Sequence, residues 1–156
     1  MNHDHWMSLA IEQARRAISL GQSPFGSVIV RDGQLVAANH NEVWLRGDPT
    51  AHAEVTNIRA AAAALKSIDF SGCVLYSTCE PCPMCASAIH WAKLDAVYYG
   101  ASIADAADAG FTELRMPIER LYEVGGSRTR VQGGLMRQEC TALFQEWLTN
   151  DQRRPY

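Results

Sequence analysis

No stretch of this chain approaches the roughly 18 uncharged apolar residues that a membrane-spanning helix needs, so no membrane partner is expected. Basic charge is also scarce: 14 Lys and Arg face 17 Asp and Glu, for a formal net charge of −3. A general nucleic-acid binder usually carries a basic surplus to neutralise phosphates, so a small neutral or cationic partner fits this balance better. Internal repeats and linkers are missing too, and the 156 residues are expected to form one domain spanning 1–156 around its own core. The opening MNHDHWMSLAIEQARRAISL carries acids and spaces its apolar residues at helical intervals, which is not the pattern of a signal peptide. An even set of spaced cysteines is lacking as well: there are five, and three crowd into Cys79–Cys85. That is a poor disulfide framework and a good thiolate metal site in a reducing compartment, with the cytoplasm as the expected location.

What is there reads as alternating helices and strands. Trp6, Ala10, Ala14, Ala17 and Ile18 recur every three or four residues, predicting an opening amphipathic helix that stops at Gly21, with His3 and His5 in a frayed start. GSVIVRDGQLVAANH is two β-rich runs around Asp32-Gly33, a strong hairpin signal. TAHAEVTNIRAAAAALKSI is helical, with Thr50 as its expected N-cap. CVLYST and DAVYYGA are strands, separated by a helix that Pro83 opens, since the first helical turn tolerates proline. SIADAADAGF is a short helix or loop. In the final segment Leu135, Cys140, Leu143, Phe144 and Trp147 fall on or near one helical face. The order α-β-β-α-β-α-β-α predicts an α/β fold, a mixed sheet flanked by helices.

The chemistry concentrates in STCEPCPMC, residues 77–85. With Pro83 in the first helical turn, Cys82 and Cys85 lie three residues apart at a helix start, where the dipole favours the thiolate a metal needs. Cys79 is expected at the end of the preceding strand and is the weaker candidate. His52, expected in the first turn of the Ala-rich helix, supplies a third ligand, and Glu54 follows two residues later. Three ligands plus water make a catalytic Zn2+, and a carboxylate beside the open position makes a base for that water. The competing reading is a structural zinc closed by Cys79. His40 and His90 read as core or surface histidines.

His52-Ala53-Glu54 with Pro81-Cys82-Pro83-Met84-Cys85 matches the H-x-E…P-C-x-x-C pattern of the zinc deaminases. The chain resembles the cytidine-deaminase-like superfamily in its His-ligand branch, through PFGSVIV, DPTAHAEV, YSTCEPCPMC and ADAADAGF. Two relatives compete, bacterial guanine deaminases and tRNA adenosine deaminases. The acidic Ala-rich stretch, the C-terminal Tyr156 and the acidic charge balance lean toward the first. The resemblance implies a three-layer α-β-α sandwich with a central mixed sheet of about five strands. It also implies a homodimer whose C-terminal segments can exchange.

Residue by residue, the resemblance implies zinc on His52, Cys82 and Cys85, with Glu54 as acid and base. Phe25 stacks on a purine, Asn41 hydrogen-bonds its edge, Ala53 lies beside it, Trp91 forms a wall and Tyr156 closes the site. Phe25 could equally be core, Trp91 helix packing and Asn41 a turn former. Where some relatives carry an aspartate after Ala-Gly-Phe, this chain has Glu113, a candidate second proton carrier, with Asp105 and Asp108 as alternatives. The implied reaction is hydrolytic deamination of a purine base, guanine first, with guanosine, another amino-heterocycle or tRNA adenosine as alternatives.

Overall fold

The computed structural model describes residues 2–156, and its elements follow in chain order. Helix α1 (His3–Ser19) leads into the hairpin of β1 (Gly26–Arg31) and β2 (Gln34–His40). Next come α2 (Val43–Arg46), α3 (Ala53–Leu65), β3 (Cys73–Cys79), α4 (Pro83–Trp91) and β4 (Ala96–Ala101). The remainder is α5 (Ile103–Asp108), α6 (Ile118–Gly125), β5 (Arg130–Gln132) and α7 (Arg137–Leu148). The five strands form one sheet in the order β2-β1-β3-β4-β5. β1 runs antiparallel to both neighbours, whereas β3, β4 and β5 are parallel. The expected mixed sheet is therefore present, at five strands.

Strand alternation sorts the core onto two faces. Val28, Val30, Val74 and Tyr76 pack with α1 and α7 through Met7, Ala10, Ile11, Leu143, Phe144 and Trp147. Ile29, Leu75 and Val97 point the other way, toward Ala61 of α3, Ala86 and Ile89 of α4, and Ile118 and Tyr122 of α6. β3, flanked on both edges and covered on both faces, is buried along all seven residues. The helices press closely: a Cβ on Gly26 would lie 2.1 Å from the Ala10 carbonyl oxygen, and one on Gly100 would lie 2.2 Å from the Cys140 sulfur.

The hairpin turn sits where Asp32-Gly33 predicts it, with both residues at positive φ, 50° and 70°. Two sequence expectations need correcting. His3 opens α1 rather than fraying: its Nδ1 lies 2.9 Å from the Tyr76 hydroxyl, and its ring stacks on Tyr98 at 4.3 Å. Thr50 does not cap α3, because its N–H and hydroxyl both donate to Asp48 in a tight turn. The N-cap is His52, at φ −63° and ψ 159°. Three elements went unread from sequence. α2 has four residues and β5 has three, too short to show a period, whereas α6 does place Ile118, Leu121 and Tyr122 at helical spacing against the core.

Candidate active site

Two helix starts meet at the C-terminal end of β3. Cys82 is the N-cap of α4 and Pro83 its first residue, so the chain leaves β3, turns through Glu80-Pro81 and enters the helix with Cys82 and Cys85 on one side. His52 holds the matching place at the start of α3. Its Nδ1 lies 3.7 Å from the Cys82 sulfur and 3.6 Å from that of Cys85. Bonds of ~2.3 Å to sulfur and ~2.0 Å to nitrogen at tetrahedral angles separate such donors by about 3.6 Å, so the trio fits zinc. Among the described residues it is the metal-competent cluster, and Cys79 is not in it. The Cys79 sulfur instead faces the Ser102 carbonyl at 3.8 Å, and burial pushes its thiol well above the usual range.

The electrostatics agree with a donor set built for a cation. A hydrogen bond from Cys85, joined by His52, brings the Cys82 thiol down to about 4, a thiolate at neutral pH. Cys85 is driven the other way by its hydrogen bond to Cys82 and by burial. A divalent ion favours the thiolate form of both sulfurs and so displaces the proton on Cys85. Burial alone would lower the His52 pKa, but Cys82 and Glu54 more than offset it, so the net shift is upward.

Glu54 is buried in the first turn of α3, and burial raises its pKa, reinforced by the Cys82 thiolate. The Ser77 hydroxyl of β3 donates to its Oε1 at 2.9 Å, fixing that oxygen. A cavity of about 270 Å³ opens beside His52 and Cys82, walled largely by Phe25, Met84, Phe111 and Leu114. Glu113 also lines it. Its Oε2 is buried with no hydrogen-bond partner, and burial pushes its pKa up to about 8. Tyr156 lies across the same cavity, its ring 6.1 Å from that of His52 and its hydroxyl accepting from Asn41 Nδ2 at 2.8 Å.

Comparison with known proteins agrees with this chemistry. Residues 1–101 match the cytidine and deoxycytidylate deaminase zinc-binding region. The chain belongs to that family. It is a zinc-dependent deaminase. Among its relatives, the guanine deaminase of Bacillus subtilis (strain 168) is 47% identical over 114 residues, 72% of this chain and 73% of that one. Its X-ray structure superposes with a TM-score of 0.70 over the same shares. A guanine deaminase from Nitrosomonas europaea superposes at 0.84, with 28% identity, over 92% of this chain and 83% of that one. The tRNA-specific adenosine deaminase of B. subtilis is 32% identical over 145 residues, 90% of this chain and 88% of that one.

Set out as a deaminase site, the expected residues divide clearly. His52, Cys82, Cys85, Glu54, Glu113, Phe25 and Tyr156 converge on one region. Asn41 and Ala53 are fully buried at its border, Asn41 through Tyr156 and Ala53 as the residue between His52 and Glu54. Asp105 is not in the cavity; its carboxylate caps α5 and binds Arg137. Asp108 lines a different depression, beside Ala107 and Arg115. Trp91 is a correction: at the far end of α4 it is 79% exposed and borders a separate hollow with His90 and Tyr122, so within this chain it forms no wall of the site.

Sequence reasoning missed Ser77 and Phe111. Ser77 precedes the cysteine cluster directly, and a hydroxyl in an otherwise apolar central strand was the available signal. Phe111 stands edge-on to Phe25 at 5.1 Å and packs on Trp147 at 4.9 Å, so it ties the loop to α7. Phe25 itself is both core and wall: it is buried among Phe111 and Phe144 and still borders the cavity.

Proposed function

We propose that this chain hydrolyses guanine to xanthine and ammonia. The observation that carries the reading is the small cavity beside the metal trio, with Tyr156 lying across it. A mostly apolar cavity of that size suits a single base, and the 47% identity to a guanine deaminase supports the same choice. His52, Cys82 and Cys85 hold the zinc. When bound, zinc supplies the Lewis acidity that brings the pKa of water toward neutral.

The remaining work belongs to side chains. Phe25 and Phe111, packed edge-on to each other, form an apolar wall for the base, and Tyr156, held by Asn41, faces it across the cavity. Glu54 takes a proton from the attacking water as its oxygen bonds to C2 of guanine, and passes that proton to the adjacent ring nitrogen. Ser77, by donating to Oε1 of Glu54, holds the carboxyl group in place beside the metal trio. Glu54 then takes the proton of the C2 hydroxyl, and with Glu113 as relay one proton reaches the amino group, so the C2–N bond breaks, ammonia leaves and C2 is left as a carbonyl. A carboxyl held near 8 is protonated at neutral pH and can donate.

The test is ammonia release over free bases, nucleosides and tRNA, with Glu54→Ala as the blank. Release from guanine is the expected result. Release from tRNA but from no free purine overturns the reading in favour of wobble-adenosine deamination, the activity named for several relatives. The same reading takes residues 1–156 as one domain, supported by the joint packing of α1 and α7 on the sheet. It includes a cytoplasmic homodimer, supported by the exposed apolar side chains Trp91 and Val124 and checked by light scattering of the purified protein.

A further inference from the structure

Glu80 is a buried carboxylate that the mechanism above does not use. It lies two residues before Cys82 in the turn between β3 and α4, and its own N–H donates to the Ala101 carbonyl at 2.7 Å. Its side chain is 5% exposed and makes no ion pair among the described residues. Instead its two oxygens separate: Oε2 accepts from the Ile103 N–H and Oε1 from the Ile118 N–H, both at 2.9 Å. These amides open α5 and α6, where first-turn N–H groups have no helical partner.

The two anchors differ in how much else supports them. At Ile103 the helix has its own capping box, Ser102 with Asp105. At Ile118 the N-cap is Pro117, whose side chain caps nothing, so Glu80 supplies the missing acceptor. Between the anchors lies the loop that carries Phe111 and Glu113. Beyond the Phe111 N–H, which bonds Ala106, the loop backbone has one internal bond, from Met116 to Leu114. Glu113 Oε2 has no partner to hold it in place. Apart from the packing of Phe111 on Phe25, Phe144 and Trp147, the charge-assisted bonds at the two ends are what restrain the middle, Glu113 included.

We propose that Glu80 is a positioning residue, whose carboxylate bridges the Ile103 and Ile118 amides and so holds Phe111 and Glu113 against the metal-bearing side of the cavity. One turn of chain then serves both halves of the site, Cys82 facing the metal and Glu80 facing the substrate loop. The inference rests on the deaminase reading and on Glu113 as a proton carrier.

The experiment uses Glu80→Gln, which keeps the shape but can accept from only one of the two amides, and Glu80→Asp, which keeps the charge but is too short to reach both. Zinc content, amide hydrogen exchange and steady-state ammonia release are measured on each. Zinc should remain at the wild-type ratio, while exchange at Ile118 and across 111–117 rises about tenfold and kcat/KM for guanine falls about tenfold. In a Glu113→Gln background, Glu80→Gln should cost far less than in the wild type, because the group it positions is already gone. Unchanged exchange overturns the proposal, as does loss of zinc, or an equal loss of kcat/KM in both backgrounds, which marks a purely structural carboxylate. If the wild type does not act on guanine, the guanine reading fails by itself. Exchange and zinc content then still judge the bridge, and the cycle is run on whichever substrate releases ammonia.

Discussion

The metal side and the substrate side of this cavity are built in opposite ways. On the metal side, His52, Cys82 and Cys85 sit at the starts of α3 and α4, two helices packed on the buried face of the sheet. On the substrate side, Phe111 and Glu113 ride an irregular loop, and Tyr156 ends a tail without regular structure. Helix starts give fixed directions, a gathering of backbone N–H dipoles and thiolate stabilisation, which a metal site demands. Loops give shape that can change without disturbing the scaffold, which is what substrate choice demands. Relatives named as a guanine deaminase and as a tRNA-specific adenosine deaminase fit this separation.

Breaking the metal side should have the largest effect. Cys82→Ser removes the sulfur that is already a thiolate in the free protein, so zinc should leave and ammonia release should become unmeasurable. Metal analysis of the purified variant checks the cause. Glu54→Gln probes the same side without touching a ligand: zinc should stay at one per chain while kcat falls by about 10³ to 10⁴. Substantial turnover in that variant would remove Glu54 from the acid and base role.

The substrate side should yield smaller, separable losses. Tyr156→Phe deletes the hydroxyl that accepts from Asn41, leaving a buried amide donor unsatisfied. Zinc should be unaffected, and KM should rise about tenfold with a lesser change in kcat. A fall in kcat with constant KM would instead place the tyrosine hydroxyl in the chemistry. The tail has a second attachment, from Trp44 Nε1 to the Arg154 carbonyl at 2.9 Å, so one lost hydroxyl should loosen it rather than release it.

The same contrast explains what could be read from the sequence. The metal side was legible because its residues are close in sequence: H-x-E and P-C-x-x-C are each set by a single helix start, and Pro83 marks one of them. The five-strand sheet was legible for a similar reason, since β1 to β4 are continuous β-rich runs, whereas three-residue β5 carries no period. The substrate side depends on contacts across long stretches of chain, such as Asn41 with Tyr156 and Phe25 with Phe111. No local spacing encodes those. Trp91 illustrates the risk: the family resemblance implied a wall there, but the length of α4 carries it to the far end of the helix. Thr50 failed for a different reason, because Asp48 engages its hydroxyl in a turn and leaves the cap to His52.

The smallest expected effect tests whether the scaffold under the substrate loop can be weakened without touching either side. The Arg137 side chain hydrogen-bonds the Asp105 carboxylate and holds it below the usual carboxylate range, linking α5 to α7. A depressed folded pKa means that this stabilisation is fully present above the unfolded value near ~4 and disappears as pH falls through the lower folded value. Asp105→Asn keeps an oxygen that can still accept from the Ser102 N–H, so it removes the charge and leaves the cap. With Arg137 mostly in solvent, the loss at pH 7 should be about 1 kcal/mol or less, a Tm decrease of roughly 2–4 °C. The Tm gap between wild type and variant should narrow as pH falls below the unfolded value and through the lower folded one, because protonated Asp105 resembles its amide replacement. Zinc release in acid affects both proteins alike and cancels in that difference. A gap that persists at low pH would assign the contribution of Asp105 to hydrogen bonding in the cap rather than to its charge.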